Sequence, residues 1–294
     1  MRFLTLFIFL FFCVIRISWA IDLQPGETAA PANSFDYIQT TFVSSTQSDY
    51  YFQGKKFSDS ATKDTTSLSL RYGRIFNTDS MPMAFYVQTP MTNIRTSGSI
   101  PGLTLNNSSG IGDTAIAFGF WPYVDRDKKT YLGFAGYLIL PTGSYENTKS
   151  INVGSNMYQT ALQVGYQKEI YKNVDWSAAL DSVFYQNNNE HFPAAGTATL
   201  RKLELDNLYT FQTALTYNIE NKYSLSAGYF YTAGADPTVN GVDQHNPTNL
   251  QRYQISASGR YSFGKLVMQY GSDLKTESGF KEDGRLILRW VMPF

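Results

Sequence analysis

The chain is poor in the residues that most site chemistry requires. Its one cysteine, Cys13, lies within the first twenty residues, and His191 and His245 are its only histidines. No internal disulfide is possible, so an exported form would rely on its own core or on closure of a sheet. Neither HxxxH nor Cys/His spacing is present, so no metal or cofactor site is spelled out. Gly110-Ile111-Gly112 is too short for a nucleotide loop. Charge is also scarce: Asp, Glu, Lys and Arg make up 16% of the residues and balance to zero. A nucleic-acid partner would need a basic excess, and there is none. Beyond the N-terminus no apolar run reaches about 18 residues, which excludes bilayer-spanning helices.

Aromatic residues are plentiful instead, with 21 Tyr, 21 Phe and 4 Trp among 294 residues. Many aromatics, few charges and a mean hydropathy of −0.26 suit a membrane β-barrel, whose lipid-facing residues alternate with polar ones.

The N-terminus has its own logic. Arg2 precedes an apolar run from Phe3 to Ile15, followed by Ser18-Trp19-Ala20 with small residues at −3 and −1 of a cleavage site. Residues 1–20 read as a secretory signal peptide, removed in the mature chain. Phe11-Phe12 before Cys13 do not fit a lipobox. Residues 21–33, polar and carrying Pro25 and Pro31, read as a short periplasmic lead-in or plug; residues 34–294 read as the barrel.

The clearest strand signal closes the chain. Leu286, Leu288, Trp290, Met292 and Phe294 occupy alternate positions, with Arg285 and Arg289 on the other face. A chain ending on such a strand resembles the outer-membrane β-barrels of Gram-negative bacteria. In those proteins the last strand is the signal read by the assembly machinery. An amphipathic edge strand of a soluble sandwich is the competing reading of this segment alone.

Eleven further segments carry strand patterns, beginning near Phe35, Thr66, Met81, Gly112, Thr130, Met157, Val174, Leu203, Tyr223, Tyr253 and Leu266. The connections alternate long and short. Long polar ones are expected at 45–64, 93–109, 141–156, 186–202, 233–250 and 272–283, and short ones at 77–80, 123–129, 171–173, 218–221 and 264. This rhythm predicts an all-β, antiparallel up-and-down transmembrane barrel of about twelve strands, with short periplasmic turns, long external loops and both termini periplasmic.

In such a barrel the apolar rows face lipid and the aromatics near strand ends form interfacial girdles. The polar rows line the lumen. Its candidate residues are Arg71, Asp113, Gln159, Gln163, Asp175, Asp181, Asp206, Arg260, Arg285 and Arg289. Arg71, Arg285 and Arg289 fall on neighbouring strands, with Asp175, Asp181 and Asp206 opposite. Such charges either orient a permeant solute or merely pair and hydrate inside a wet lumen.

Gly110-Ile111-Gly112-Asp113, Leu140-Pro141-Thr142-Gly143-Ser144-Tyr145 and Asn152-Val153-Gly154-Ser155-Asn156 follow one another in a familiar order. Together with the terminal Trp290-Val291-Met292-Pro293-Phe294, they resemble the outer-membrane transporters found with phenol meta-cleavage pathways. Ser144 stands where that family usually has Asp, which argues against a cation site in this loop. The resemblance implies an outer-membrane barrel that takes up hydrophobic or aromatic carbon sources. The expected partners are outer-membrane lipids and lipopolysaccharide, the barrel-assembly machinery and a small-molecule solute, with no cofactor. The function expected is passive uptake rather than enzymatic turnover. The alternative is a non-transporting barrel acting through its long loops as an adhesin or receptor; a lipid-hydrolysing barrel would need a His on a strand.

Overall fold

The computed structural model describes residues 26–78, 81–193, 198–220 and 222–294. The signal peptide expected at 1–20, the start of the lead-in at 21–25, parts of two short turns and part of the long connection at 186–202 fall outside the described residues. The strands are, in order, β1 (Phe35–Phe52), β2 (Lys55–Asn77), β3 (Pro82–Ser97), β4 (Ser108–Ile111), β5 (Thr114–Asp125), β6 (Thr130–Leu140), β7 (Gln159–Tyr171), β8 (Val174–Tyr185), β9 (Asn188–His191), β10 (Arg201–Leu205), β11 (Leu208–Ile219), β12 (Tyr223–Gly234), β13 (Pro237–Val239), β14 (Val242–Asp243), β15 (Thr248–Tyr261), β16 (Gly264–Thr276) and β17 (Gly279–Pro293).

Twelve of them close into one antiparallel barrel, with β4 as a short extension beside β3. Each barrel strand pairs with its sequence neighbour, and β1 seals the ring by pairing with both β2 and β17. The last residue completes the seam, since Phe294 N–H donates to Asp36 O at 2.9 Å. Full closure leaves no sheet edge, which a chain without disulfides needs in a lipid environment.

The alternation sorts side chains as the sequence indicates. On β2, Leu68, Leu70 and Tyr72 face outward and exposed, while Ser67, Ser69 and Arg71 are buried inside. Leu286, Leu288, Trp290, Met292 and Phe294 on β17 likewise form an outward row, and Arg285 and Arg289 turn inward. Tyr171, Tyr217, Tyr223, Tyr261, Phe263 and Trp290 ring the end where the short turns and termini lie, hereafter the turn end.

Two of the six expected long connections do not exist as loops. Residues 45–64 extend β1 and β2 to a two-residue turn at Gln53-Gly54, whose φ angles of 50° and 74° are those of a tight right-twisted hairpin. Residues 272–283 are likewise mostly strand, turning at Glu277-Ser278. The physical reason is that polarity on both strand faces marks departure from lipid, not departure from the sheet. Serine and threonine rows continue the ladder into water. The other four long connections fold over the opposite, loop end, where β9, β10, β13 and β14 make a separate four-stranded sheet.

Candidate functional site

The barrel interior is filled with polar side chains, and the two larger interior cavities among the described residues have no lining residue in common. The chamber toward the turn end has a volume of about 290 Å³, and the one toward the loop end about 140 Å³.

Aromatic rings wall the turn-end chamber: Tyr37 from β1, Tyr86 from β3, Trp121 from β5 and Tyr137 from β6. Small residues make room for them. The Tyr37 ring lies over Gly73, where a Cβ would sit 2.3 Å from the ring, and Trp121 lies over Gly133. Arg71 reaches into this chamber with its guanidinium 3.8 Å from the centre of the Tyr86 ring, a cation–π contact. Arg71 Nε donates to Gln88 Oε1 at 2.8 Å, and Gln88 lines the other chamber, so this pair is part of the partition between them. Other glutamines continue the partition. Gln163 and Gln212 each donate to Asp181, Tyr137 donates to Gln163 at 3.0 Å, and Arg289 donates to Gln269.

Residues 26–31 form one side of the turn-end chamber. Trp121 Nε1 donates to Thr28 O at 2.9 Å, Thr28 Oγ1 donates to Gln167 Oε1 at 2.6 Å, and Arg126 Nη2 donates to Pro31 O at 2.9 Å. Thr28 packs over Gly165, whose missing side chain it replaces. Glu27 lies 3.7 Å from Arg71 Nη1.

The loop-end chamber is differently made. Its lining includes three cations, Lys63, Arg252 and Arg285, and three acids, Asp113, Asp273 and Glu282. Asp113 Oδ1 accepts the Gly143 N–H at 2.9 Å, and Oδ2 accepts the Ser155 N–H at 2.8 Å and its hydroxyl at 2.5 Å. Here the three sequence motifs meet. Gly143 and Gly154 cross so closely that a Cβ on either would lie 2.6 Å from the other's backbone. Gln159 supports the same turn through Ser155 Oγ at 3.2 Å. Asp273 accepts the Glu282 N–H at 2.8 Å, and Arg285 Nε lies 3.5 Å from Glu282. Above this chamber Tyr50, Ile94 and Phe280 from the ends of β1, β3 and β17 and Ile100, Leu103 and Ile151 from the connecting loops are buried against one another, an apolar lid.

Of the ten lumen candidates, Arg71, Asp113, Gln159, Gln163, Asp181, Arg285 and Arg289 are buried inside the barrel. Of the other three, Asp175 and Arg260 keep the inward register near the turn end, and Asp206 is displaced. Asp206 is exposed in the connection between β10 and β11, because β10 leaves the barrel for the small sheet and breaks the alternation at 206–207. Asp175 sits near the turn end of β8, held by Asn218 at 2.9 Å, one row from the β7–β8 turn. Arg260 points inward by register but is exposed at the turn-end rim, directly across from Lys265. The expected wall of opposed aspartates is therefore Asp181 and Asp175, without Asp206. Sequence reading missed Glu27, Lys63, Arg252, Asp273 and Glu282. Arg252 shares the register of Gln254 and Ser256, so extending that strand by one pair of residues finds it.

The histidines lie at the loop end. His191 is buried beside Phe192 and Arg201, and burial, reinforced by the Arg201 charge, pushes its imidazole down to about 3. His245 pairs with Asp243 at 3.1 Å, and with Asp236 they bring one donor atom each within 4.8 Å, on an exposed hairpin.

Comparison with known proteins agrees with this geometry. The family model described as "Putative MetA-pathway of phenol degradation" matches residues 32–290. The chain belongs to that family. An outer membrane channel from Pseudomonas putida F1 is similar over 93% of this chain and all of its own, with 25% identity and a TM-score of 0.87. The β domain of the Bordetella autotransporter BrkA shares the barrel fold, with a TM-score of 0.54 at 8% identity over 89% of this chain and 99% of its own. The translocator domain of the Neisseria meningitidis autotransporter NalP does so with a TM-score of 0.50 at 12% identity, over 88% of each chain. No curated protein matches the sequence. The protein is an outer-membrane β-barrel of this family.

Proposed function

We propose that this barrel is a passive channel for small hydrophobic or aromatic solutes across the outer membrane. One observation carries the proposal: a ring-walled chamber of about 290 Å³ lies inside a closed barrel, next to a second chamber across a partition of hydrogen-bonded side chains. Pockets for small molecules are apolar with a few placed polar groups, which is how Tyr37, Tyr86, Tyr137 and Trp121 surround Arg71. The similar Pseudomonas putida protein is an outer membrane channel. In this reading the loop end faces the outside and the lipopolysaccharide leaflet, the turn end faces the periplasm, and residues 26–31 act as a plug at the periplasmic mouth. The outward row ending at Phe294 addresses the assembly machinery. No chemical step is involved: His191 is buried on β9 of the loop-end sheet and His245 lies on a hairpin, neither on the lipid-facing wall. The loops turn their apolar residues toward each other, which favours a lid over an adhesive face.

The test is conductance in planar bilayers together with flux of a labelled aromatic solute into liposomes carrying the full mature chain. Both should exceed protein-free controls. A barrel that passes neither ions nor solute overturns the proposal.

A further inference from the structure

The small loop-end sheet gathers a set of metal-type donors that solute passage leaves unused. Asp236 stands immediately before β13, Asp243 ends β14 and His245 follows two residues later. The two-residue turn at Asn240-Gly241, with φ angles of 50° and 78°, folds the hairpin so that its two ends meet. There Asp236, Asp243 and His245 bring one donor atom each within 4.8 Å of one another. Backbone bonds place the two carboxylates. Asp236 Oδ1 accepts the Asn246 N–H and Asp243 Oδ1 accepts the His245 N–H, both at 2.8 Å. The imidazole Nδ1 lies 3.1 Å from Asp243 Oδ2. Each carboxylate thus uses one oxygen on the chain and has a second to offer. Among the described residues no lysine or arginine forms an ion pair with either one. Partial burial and the Asp243 charge hold the Asp236 carboxyl above the usual carboxylate range.

We propose that Asp236, Asp243 and His245 bind one divalent cation of the zinc type, which clamps the two ends of the hairpin together. An imidazole nitrogen with two carboxylate oxygens is a ligand set suited to zinc, which takes three protein ligands and leaves a further position to water. Calcium and magnesium require shells built from oxygen, so the nitrogen separates the two classes of ion. At metal–ligand distances of about 2.0–2.1 Å, the donors of a tetrahedral site stand about 3.4 Å apart. The imidazole Nδ1 and Asp243 Oδ2 already meet that spacing. Both side chains are more than half exposed, so they can rotate toward Asp236 without disturbing a packed core. A cation between the two carboxylates also offsets their mutual repulsion. The clamp extends beyond the hairpin. Asn246, next to His245, is fully buried; its Oδ1 accepts the Gln53 N–H at 2.7 Å and its Nδ2 donates to Ser278 Oγ at 2.9 Å. Fixing His245 therefore fixes the hairpin against the β1–β2 and β16–β17 turns. None of the three ligands lines either chamber, so the site is independent of solute passage.

Calorimetric titration of the untagged, chelator-treated mature chain in detergent tests this, with zinc chloride as the probe and calcium chloride as the comparison. One zinc ion per chain should bind with a dissociation constant on the order of micromolar, and calcium about a hundredfold more weakly or less. His245→Ala, Asp236→Asn and Asp243→Asn should each weaken zinc binding by about tenfold or more. His191→Gln, which removes the chain's other histidine but no ligand, should leave it unchanged. Asp243 and His245 are surface residues, so their variants keep the barrel, which an unchanged melting temperature of the metal-free protein checks. Zinc should also slow protease cleavage at 240–241 in the parent chain and fail to do so in His245→Ala. Zinc binding of undiminished affinity in His245→Ala overturns the inference. So does calcium binding as tight as zinc, or no zinc binding at about 100 μM.

Discussion

The two chambers of this barrel use charge in opposite ways. At the loop end, Asp113 and Asp273 hold backbone N–H groups of the chain, and the cations around them are matched three to three. Those carboxylates act as fastenings. At the turn end, among the described residues, the lining cations outnumber the acid, and Arg71 faces rings and a chamber rather than a loop backbone. On the proposed reading, the same residue types serve folding in one half and solute passage in the other. What decides the difference is whether the charged group's hydrogen-bonding capacity is filled by the chain's own fixed backbone.

The sharpest way to break this contrast is at Asp113. Asp113→Ala removes the acceptor of three charge-assisted bonds and leaves the Gly143 and Ser155 N–H groups without it, for a loss of roughly 3 kcal/mol or more. The thermal midpoint in detergent should fall, and protease should cut between 141 and 158. Asp113→Asn should be intermediate. An Asp113→Ala barrel that stays stable but changes its ion selectivity would make the loop-end acid a recognition group after all.

Next in size is the removal of residues 26–31 from the mature chain. Single-channel conductance should rise several-fold while the melting temperature of the barrel stays nearly unchanged, because these residues contribute side chains to the turn-end chamber but no strand to the ladder. A drop in stability without a rise in conductance would make the segment part of the core.

How much of this was readable beforehand differs between the halves too. The terminal row from Leu286 to Phe294, the twelve-strand closure and the inward turn of Arg71, Arg285 and Arg289 followed from period-two alternation, a local signal. The fastening role of Asp113 did not, because its partners lie 30 and 42 residues away and are backbone groups, which carry no sequence mark. The motifs containing Gly143 and Gly154 were visible, but their reason, a backbone crossing too close for any Cβ, is tertiary. Glu27 was invisible for a similar reason: only the folding-back of residues 26–31 brings it to Arg71. Lys63, Asp273 and Glu282 were hidden by reading polar stretches as loops when they were strands rising out of the membrane layer.

A smaller, pH-dependent effect should be confined to the loop end. The His191 imidazole titrates near 6.5 in an unfolded chain and is pushed down to about 3 in the fold, by burial first and by Arg201 second. A depressed value means that the fold holds the neutral form. Its contribution is complete above about 6.5 and is lost progressively as pH falls toward 3. Protease resistance of the small sheet containing β9 and β10 should fall over that window, and His191→Gln should flatten the dependence. Conductance attributable to the turn-end chamber should not follow it; parallel loss would show that the two halves are mechanically coupled.

The smallest expected effect lies in the wall they share with the membrane. Ser67 and Thr92 are register partners on β2 and β3, with hydroxyls 2.9 Å apart, and both line the loop-end chamber. The same two residues also line an apolar groove on the lipid side, between Leu68, Met91 and Ile111. The hydroxyl pair adds to a backbone ladder that is complete without it, so Ser67→Ala with Thr92→Val should cost about 1 kcal/mol or less. If the loop-end chamber is only a fastening, that small loss of stability is the whole result. If aromatic solute flux into liposomes changes several-fold while stability does not, solute crosses the wall there. The loop-end half would then join the turn-end half in the proposed path.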